Sequence, residues 1–141
     1  MAWFKKTRKP IGSNEKASRV PEGLWIKCPS CSRAIYHKEL VEHQQVCVKC
    51  GHHFRMTAAE RLRLLFDDGR WTEYDANLRS LDPLRFTDTK PYRARLESSI
   101  KNTGLNDAII VGSGRLDGVP AVIASMEYNF IGGSMGVVVG E

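Results

Sequence analysis

Four cysteines are the residues best suited to chemistry. Cys28, Cys31, Cys47 and Cys50 are spaced C-x2-C-x15-C-x2-C, within the range of zinc ribbons. Two thiols three residues apart sit on one tight turn and can face a common centre. Two such turns bring four sulfurs together and complete a tetrahedron around a zinc ion. Pro29 lies inside the first pair and Gly51 follows the second, as tight turns favour. The competing chemistry is two disulfides or four free thiols. No apolar core of a secretory leader follows the early basic residues, which favours reduced thiols and hence zinc. With every position filled by protein sulfur, the expected site is structural, with no place for water or substrate. His37, His43, His52 and His53 are expected at the surface or packed on the knuckles, because four cysteines already saturate the ion.

A second candidate lies near the end of the chain. Phe130-Ile131-Gly132-Gly133-Ser134-Met135-Gly136 precedes three valines. Gly132, Gly133, Ser134 and Gly136 are weak substrate-site candidates. Glycines let backbone N–H groups approach a ligand closely, and such a turn before a helix can hold an anion. Close packing explains the glycines equally well, and the run is neither a P-loop nor a dinucleotide fingerprint.

These residues must be positioned by a chain of 141 residues, 42% hydrophobic and 26% charged. That balance argues against a disordered polypeptide. No 18-residue apolar run is present, which excludes a membrane-spanning helix. The length suits one domain, or a small module beside part of a larger one. The formal net charge is +5, and its excess lies at the front. Residues 1–22 hold six basic and two acidic side chains and are expected to be a flexible basic tail. The alternative is an arm for an acidic partner or a phosphate backbone.

Beyond the ribbon, Thr57 and Glu60 form a capping box opening a helix, with Leu62, Leu65 and Phe66 on its apolar face. This helix is expected to buttress the ribbon. Trp71 to Tyr74 reads as a strand, and 76–90 as a loop turning at Asp82-Pro83. A second helix starts near Pro91, carries Tyr92, Leu96 and Ile100 on one side, and stops at Gly104. Two apolar strands follow, Ala108 to Val111 and Val119 to Ala124, joined by a hairpin turn at Asp117-Gly118. Their near-continuous apolar runs suggest strands buried on both faces.

Several stretches together resemble the N-terminal part of the β subunit of the bacterial and plastid acetyl-CoA carboxylase carboxyltransferase. They are Val20-Pro21-Glu22-Gly23-Leu24-Trp25, the run from Cys47 to Thr57, Tyr92-Arg93-Ala94-Arg95-Leu96, and Thr103-Gly104-Leu105-Asn106-Asp107-Ala108. The strongest is Met126 to Gly136. The resemblance covers nearly the whole chain, and its motifs occur in family order. The resemblance implies an α/β fold: a zinc ribbon with four cysteine ligands, followed by the opening part of a crotonase-like domain. The expected organisation is a tail at 1–22, the ribbon at 23–54, and a helix linker with an incomplete carboxyltransferase domain at 55–141.

The resemblance further implies transfer of a carboxyl group from carboxybiotin, held on a biotin carboxyl carrier protein, to acetyl-CoA to give malonyl-CoA in fatty-acid synthesis. It implies an α subunit in an α2β2 arrangement, and a biotin carboxylase partner that uses ATP. The cofactors are then one structural zinc, biotin on the separate carrier, and ATP at the partner. A cytoplasmic place, or the plastid stroma in a plant, is implied, with no membrane. The family's oxyanion glycine pairs lie past Glu141, so no catalytic residue is carried over, and Gly132-Gly133 is not given that role. Val137 departs from the small polar residue common there. The expectation is a fragment inactive by itself. The alternative from the residues alone is a nucleic-acid-binding ribbon.

Overall fold

In the computed structural model, which describes residues 24–141, the cysteine turns set the first elements. The expected basic tail and the stretch from Val20 to Gly23 lie outside the described residues. Contacts divide the chain into two compact units, one ending at Phe54 and the other beginning at Arg55.

In the first unit, β1 (Trp25–Lys27) pairs antiparallel with β2 (Ala34–Tyr36), Ile26 opposite Ile35. The chain turns between them at Cys28 to Ser32, runs through α1 (His37–Glu42), and closes through an antiparallel bridge between Val46 and His53. The buried residues are Cys28, Ile35, Leu40 and Cys47, with Ile26, Cys31 and Phe54 packed against them. Half of this small core is therefore cysteine.

The second unit starts with α2 (Ala58–Leu65), and the capping box is present. The Thr57 N–H donates to Glu60 Oε2 at 2.8 Å, and the Glu60 N–H donates to Thr57 Oγ1 at 3.3 Å. Leu62 and Phe66 are buried, but Leu65, expected on the same face, is exposed. The buried stripe runs through Ala58, Leu62 and Phe66 at intervals of four, and Leu65, the last helical residue, lies to its side. A short 3-10 turn at Asp67–Gly69 leads into β3 (Thr72–Tyr74). After the 76–90 loop, α3 (Tyr92–Thr103) runs to Gly104, whose φ of 75° is the left-handed stop anticipated from sequence. Then come β4 (Ile109–Leu116) and β5 (Val119–Met126). Their turn, Asp117-Gly118, has φ of 50° and 78°, as a two-residue hairpin turn requires.

The sheet order is β3-β4-β5, with both pairings antiparallel. Its inner face carries Ile110 from β4 and Ala121 and Ile123 from β5, which pack with Ala58, Leu62, Phe66 and Trp71. Helix α2 is thus part of this unit's core. The expectation of burial on both faces is corrected here: Val122, Ala124 and Met126 on the alternate face are exposed. A long apolar run cannot by itself say how many faces are covered. A second cluster gathers Leu96, Ala108 and Phe130, with Tyr92, Ile100, Ile131 and Val139 at its margin. Leu105 belongs to the margins of both clusters and joins them.

Two glycines on β4 let aromatic rings approach the sheet closely. A Cβ on Gly112 would run into the Trp71 indole. One on Gly114 would lie 2.6 Å from Phe66 Cδ1 and 2.9 Å from the Arg70 carbonyl oxygen. The second neighbour is backbone and cannot rotate away. Gly114→Ala is therefore expected to cost about 1–3 kcal/mol through overpacking, read as a lowered midpoint in urea unfolding. An unchanged midpoint would contradict this packing.

Candidate metal centre

The two cysteine turns share one local geometry. In the first, the Ser32 N–H donates to the Cys28 carbonyl at 2.9 Å. In the second, the Gly51 N–H donates to the Cys47 carbonyl at 2.8 Å. The fourth residue after the leading cysteine has positive φ in both, 57° at Ser32 and 72° at Gly51. Glycine makes the second turn legible in sequence. Serine at the first gives no such signal, because L-residues disfavour that region.

The turns bring all four sulfurs together. The Sγ atoms of Cys28 and Cys50 are 3.7 Å apart, and those of Cys31 and Cys47 are 3.8 Å apart. All four lie within 4.8 Å of one another. A tetrahedron with Zn–S bonds of about 2.3 Å has edges of about 3.8 Å. The donor set, four soft sulfurs at tetrahedral spacing, therefore fits zinc, and these separations are far too long for disulfides. Among the described residues, this cluster holds the four cysteines and no histidine. His37, His43 and His53 are exposed, and His52 stacks edge-on against Phe54 at 5.3 Å between ring centres.

The electrostatics of the bare thiols show why a cation suits this place. Burial opposes the Cys47 thiolate most strongly, yet hydrogen bonds from the Lys49 backbone and from Cys50 and Cys28 outweigh it and draw the thiol down to about 7. At Cys50 the His52 backbone favours the thiolate. Burial and the sulfurs of Cys47, Cys31 and Cys28 prevail and push it up to about 11. The first negative charge in the cluster is easy to form and the last is difficult. A divalent metal would supply the opposing charge that lets all four sulfurs ionise, releasing protons as it binds.

The glycine-rich segment is arranged differently. Residues Ile131–Gly133 form a 3-10 turn, with Gly132 at φ 69° and Gly133 at φ 72°. The Gly133 N–H donates to the Phe130 carbonyl at 2.8 Å, and the Ser134 N–H to the Ile131 carbonyl at 3.3 Å. These two donors are committed to the turn itself. Gly136 precedes the four-residue α4 (Val137–Gly140), and a Cβ there would lie 2.9 Å from Ser80 Oγ. Close approach thus accounts for Gly136, and turn geometry for Gly132 and Gly133.

Other polar residues of the matching stretches act as anchors that sequence reasoning did not single out. Buried Glu127 accepts from the Ala58 N–H at 2.9 Å through Oε2, and from the Asn129 N–H and Nδ2 at 3.0 and 2.8 Å through Oε1. It caps the start of α2 from the far end of the hairpin, and a carboxylate suits a helix N-terminus. Buried Asp107 accepts from the Ser80 N–H at 3.2 Å and the Ala108 N–H at 2.8 Å. Asn106 donates to the Ala76 carbonyl at 2.7 Å, so both residues fasten the 76–90 loop. Among the described residues, no helix is long and apolar enough to cross a membrane.

Comparison with known proteins bears on this centre directly. Residues 25–50 match a family described as the acetyl-CoA carboxylase zinc finger domain. Proteins described as acetyl-coenzyme A carboxylase carboxyl transferase subunit beta are similar along the whole chain. The one from Pedobacter heparinus is 49% identical over 100% of this chain and 50% of its own length. That from Chlorobaculum tepidum is 48% identical over the same shares. That from a Synechococcus strain is 43% identical over 99% of this chain and 48% of its own. The chain thus spans about half the length of the curated relatives it matches. Among solved structures, the hexameric transcarboxylase 12S with hydrolysed methylmalonyl-coenzyme A matches at 25% identity and a TM-score of 0.43. That match covers 74% of this chain and 17% of the other.

If the four sulfurs hold zinc, Cys28→Ala or Cys47→Ala should lose the metal and unfold the first unit. Each variant also removes one of its four buried residues, and structural zinc contributes on the order of 10 kcal/mol. Metal analysis should find one zinc per wild-type chain and none in either variant. Full retention of zinc by a variant would refute the four-thiolate set.

Proposed function

This chain is homologous from end to end to the β subunits of the acetyl-coenzyme A carboxylase carboxyl transferase, over about half of their length, and we propose that it contributes to the same reaction. The carrying observation is the match of 43–49% identity that runs through the cysteine quartet and both units. In this reading a carboxyl group passes from carboxybiotin, borne on a carrier protein, to the methyl carbon of acetyl-CoA. The methyl group loses a proton to give an enolate, a new C–C bond forms, and the biotin N–C bond breaks, leaving malonyl-CoA. The partners are an α subunit, the carrier protein and a biotin carboxylase that uses ATP, in the cytoplasm or the plastid stroma.

The residues of this chain have supporting parts in that scheme. Cys28, Cys31, Cys47 and Cys50 hold one zinc and make the first unit rigid. That role is structural, since four sulfurs leave no position for substrate. The second unit is expected to be the opening of a crotonase-like domain. Enolate stabilisation needs N–H donors pointed at the developing oxyanion, whereas those of Gly133 and Ser134 are already committed to their turn. As the family resemblance implies, the catalytic donors are assigned to the part of the family's length outside these residues.

A second reading has its own observation. Lys27, Arg33, Lys38 and Lys49 are all exposed on the first unit, and Trp25 is exposed with its ring 5.6 Å from that of Tyr36. Exposed basic side chains and an exposed aromatic ring on one small unit suit single-stranded nucleic acid.

Each reading has a decisive measurement. The purified 141-residue chain should form no malonyl-CoA from carboxybiotin and acetyl-CoA, even with an α subunit added. Turnover by this mixture would overturn the placement of the catalytic donors. For the second reading, the chain should retard single-stranded RNA at low salt and release it as salt rises. Unchanged mobility at low salt would sink it.

A further inference from the structure

The four sulfurs of the first unit are not equally open to solvent. Cys28 and Cys47 are 0% and 2% exposed and Cys31 is half-buried, whereas Cys50 is exposed. Beyond its chain neighbours, nothing among the described residues lies within 4 Å of where a Cβ on Gly51 would sit, so the end of the turn beside Cys50 is uncovered. The thiolate is the nucleophilic form of cysteine, and a closed four-thiolate site keeps its sulfurs in that form. A reagent arriving from solvent therefore meets Cys50 first.

Cys50 also has a second sulfur within reach. Its Sγ lies 3.7 Å from that of Cys28, and the sulfurs of Cys31 and Cys47 make a matching contact at 3.8 Å. Both contacts cross from one cysteine turn to the other. Bringing the Cys28 and Cys50 sulfurs to a disulfide length of about 2.05 Å takes a shift of roughly 1.7 Å, shared between two side chains. Each turn is held by its own backbone hydrogen bond, from Ser32 to Cys28 and from Gly51 to Cys47, so a crossing bond disturbs neither. An exposed sulfur with a resolving sulfur beside it is the arrangement of an oxidation-sensitive thiol.

We propose that Cys50 is an oxidation site that reacts with hydrogen peroxide, and that Cys28 is its resolving partner. The Cys50 sulfur attacks one peroxide oxygen and the O–O bond breaks. That oxygen stays on Cys50 as a sulfenic acid, and the other leaves as hydroxide. The Cys28 sulfur then attacks the Cys50 sulfur, forms the S–S bond and expels the second hydroxide. Two thiolates have given up two electrons to the peroxide, and two protons from solvent convert the two hydroxides to water. Sulfurs joined in a disulfide no longer carry the charge that holds a cation, and Cys31 and Cys47 alone do not complete a tetrahedron. Oxidation thus removes the unit's capacity for zinc while a covalent bond takes over the joining of its two turns. The inference rests on the four-thiolate site and not on the carboxyl-transfer chemistry.

The test loads the purified 141-residue chain with zinc and adds hydrogen peroxide. A chromogenic chelator should report release of the bound zinc, and peptide mass mapping should find Cys28–Cys50 as the first disulfide. A sulfenic-acid trap present during the reaction should label Cys50. A dithiol reductant with fresh zinc should restore the metal content. Cys50→His keeps a fourth ligand that zinc accepts but removes the attacking sulfur, so its zinc should be released roughly tenfold or more slowly. Trapping at another cysteine in place of Cys50, a first disulfide within one turn, or equally fast release from Cys50→His would overturn the proposal. Should Cys50→His bind no zinc, the trap and the disulfide map of the unaltered chain decide the matter by themselves. An unaltered chain that takes up no zinc at the outset would sink the four-thiolate site together with this proposal. One that binds zinc and keeps it under peroxide would sink this proposal alone.

Discussion

Shortage of apolar interior is the constraint on which the rest of this structure depends. Among residues 24–141, eleven hydrophobic residues are buried, while sixteen large hydrophobics are exposed. Small folds expose a larger fraction of their surface and need some other source of stability. The two units meet that need in different ways, and each solution marks a surface or site with a role.

In the first unit the missing interior is replaced by sulfur. Ile35 and Leu40 could not by themselves offset the ordering of some thirty residues, given about 1–2 kcal/mol of backbone entropy for each. Cys28 and Cys47 complete the core, and their turns aim four sulfurs at one point. A bound dication would then do the work that a larger hydrophobic core does elsewhere. The split between a low Cys47 and a high Cys50 expresses the same fact electrostatically. The cluster is poorly suited to carrying four negative charges without a cation.

In the second unit the interior is built by close approach and buried polar anchors. Gly112 and Gly114 admit Trp71 and Phe66 against the sheet, Glu127 closes the start of α2, and Asp107 ties down the loop before α3. Asp67 accepts from the N–H groups of Asp117 and Gly118 at 2.9 and 2.8 Å, so the hairpin turn is held by the segment after α2. Several of these residues belong to the stretches that carry the family resemblance. Asn106, Asp107, Glu127 and Asn129 would suggest active-site chemistry to a reader of motifs, yet the first three are engaged in holding backbone, and Asn129 Nδ2 donates to the Glu127 carboxylate.

What the sequence determined by itself was whatever depends on residues a few positions apart. The sulfur spacing, the Thr57–Glu60 capping box, the stop at Gly104 and the Asp117-Gly118 turn are each closed by local hydrogen bonds or one backbone region, and all are found. Tertiary structure alone decided the rest. Glu127 reaches Ala58 across 69 positions, and Asp67 reaches the hairpin turn across 50 and 51. No periodicity records such distances. Whether one face of β5 or both would be buried was likewise undecidable from an apolar run, because burial belongs to what packs against a strand and not to the strand. Leu65 shows the same limit on a smaller scale: its spacing placed it beside the buried stripe, and nothing in the unit packs far enough round the helix to cover it.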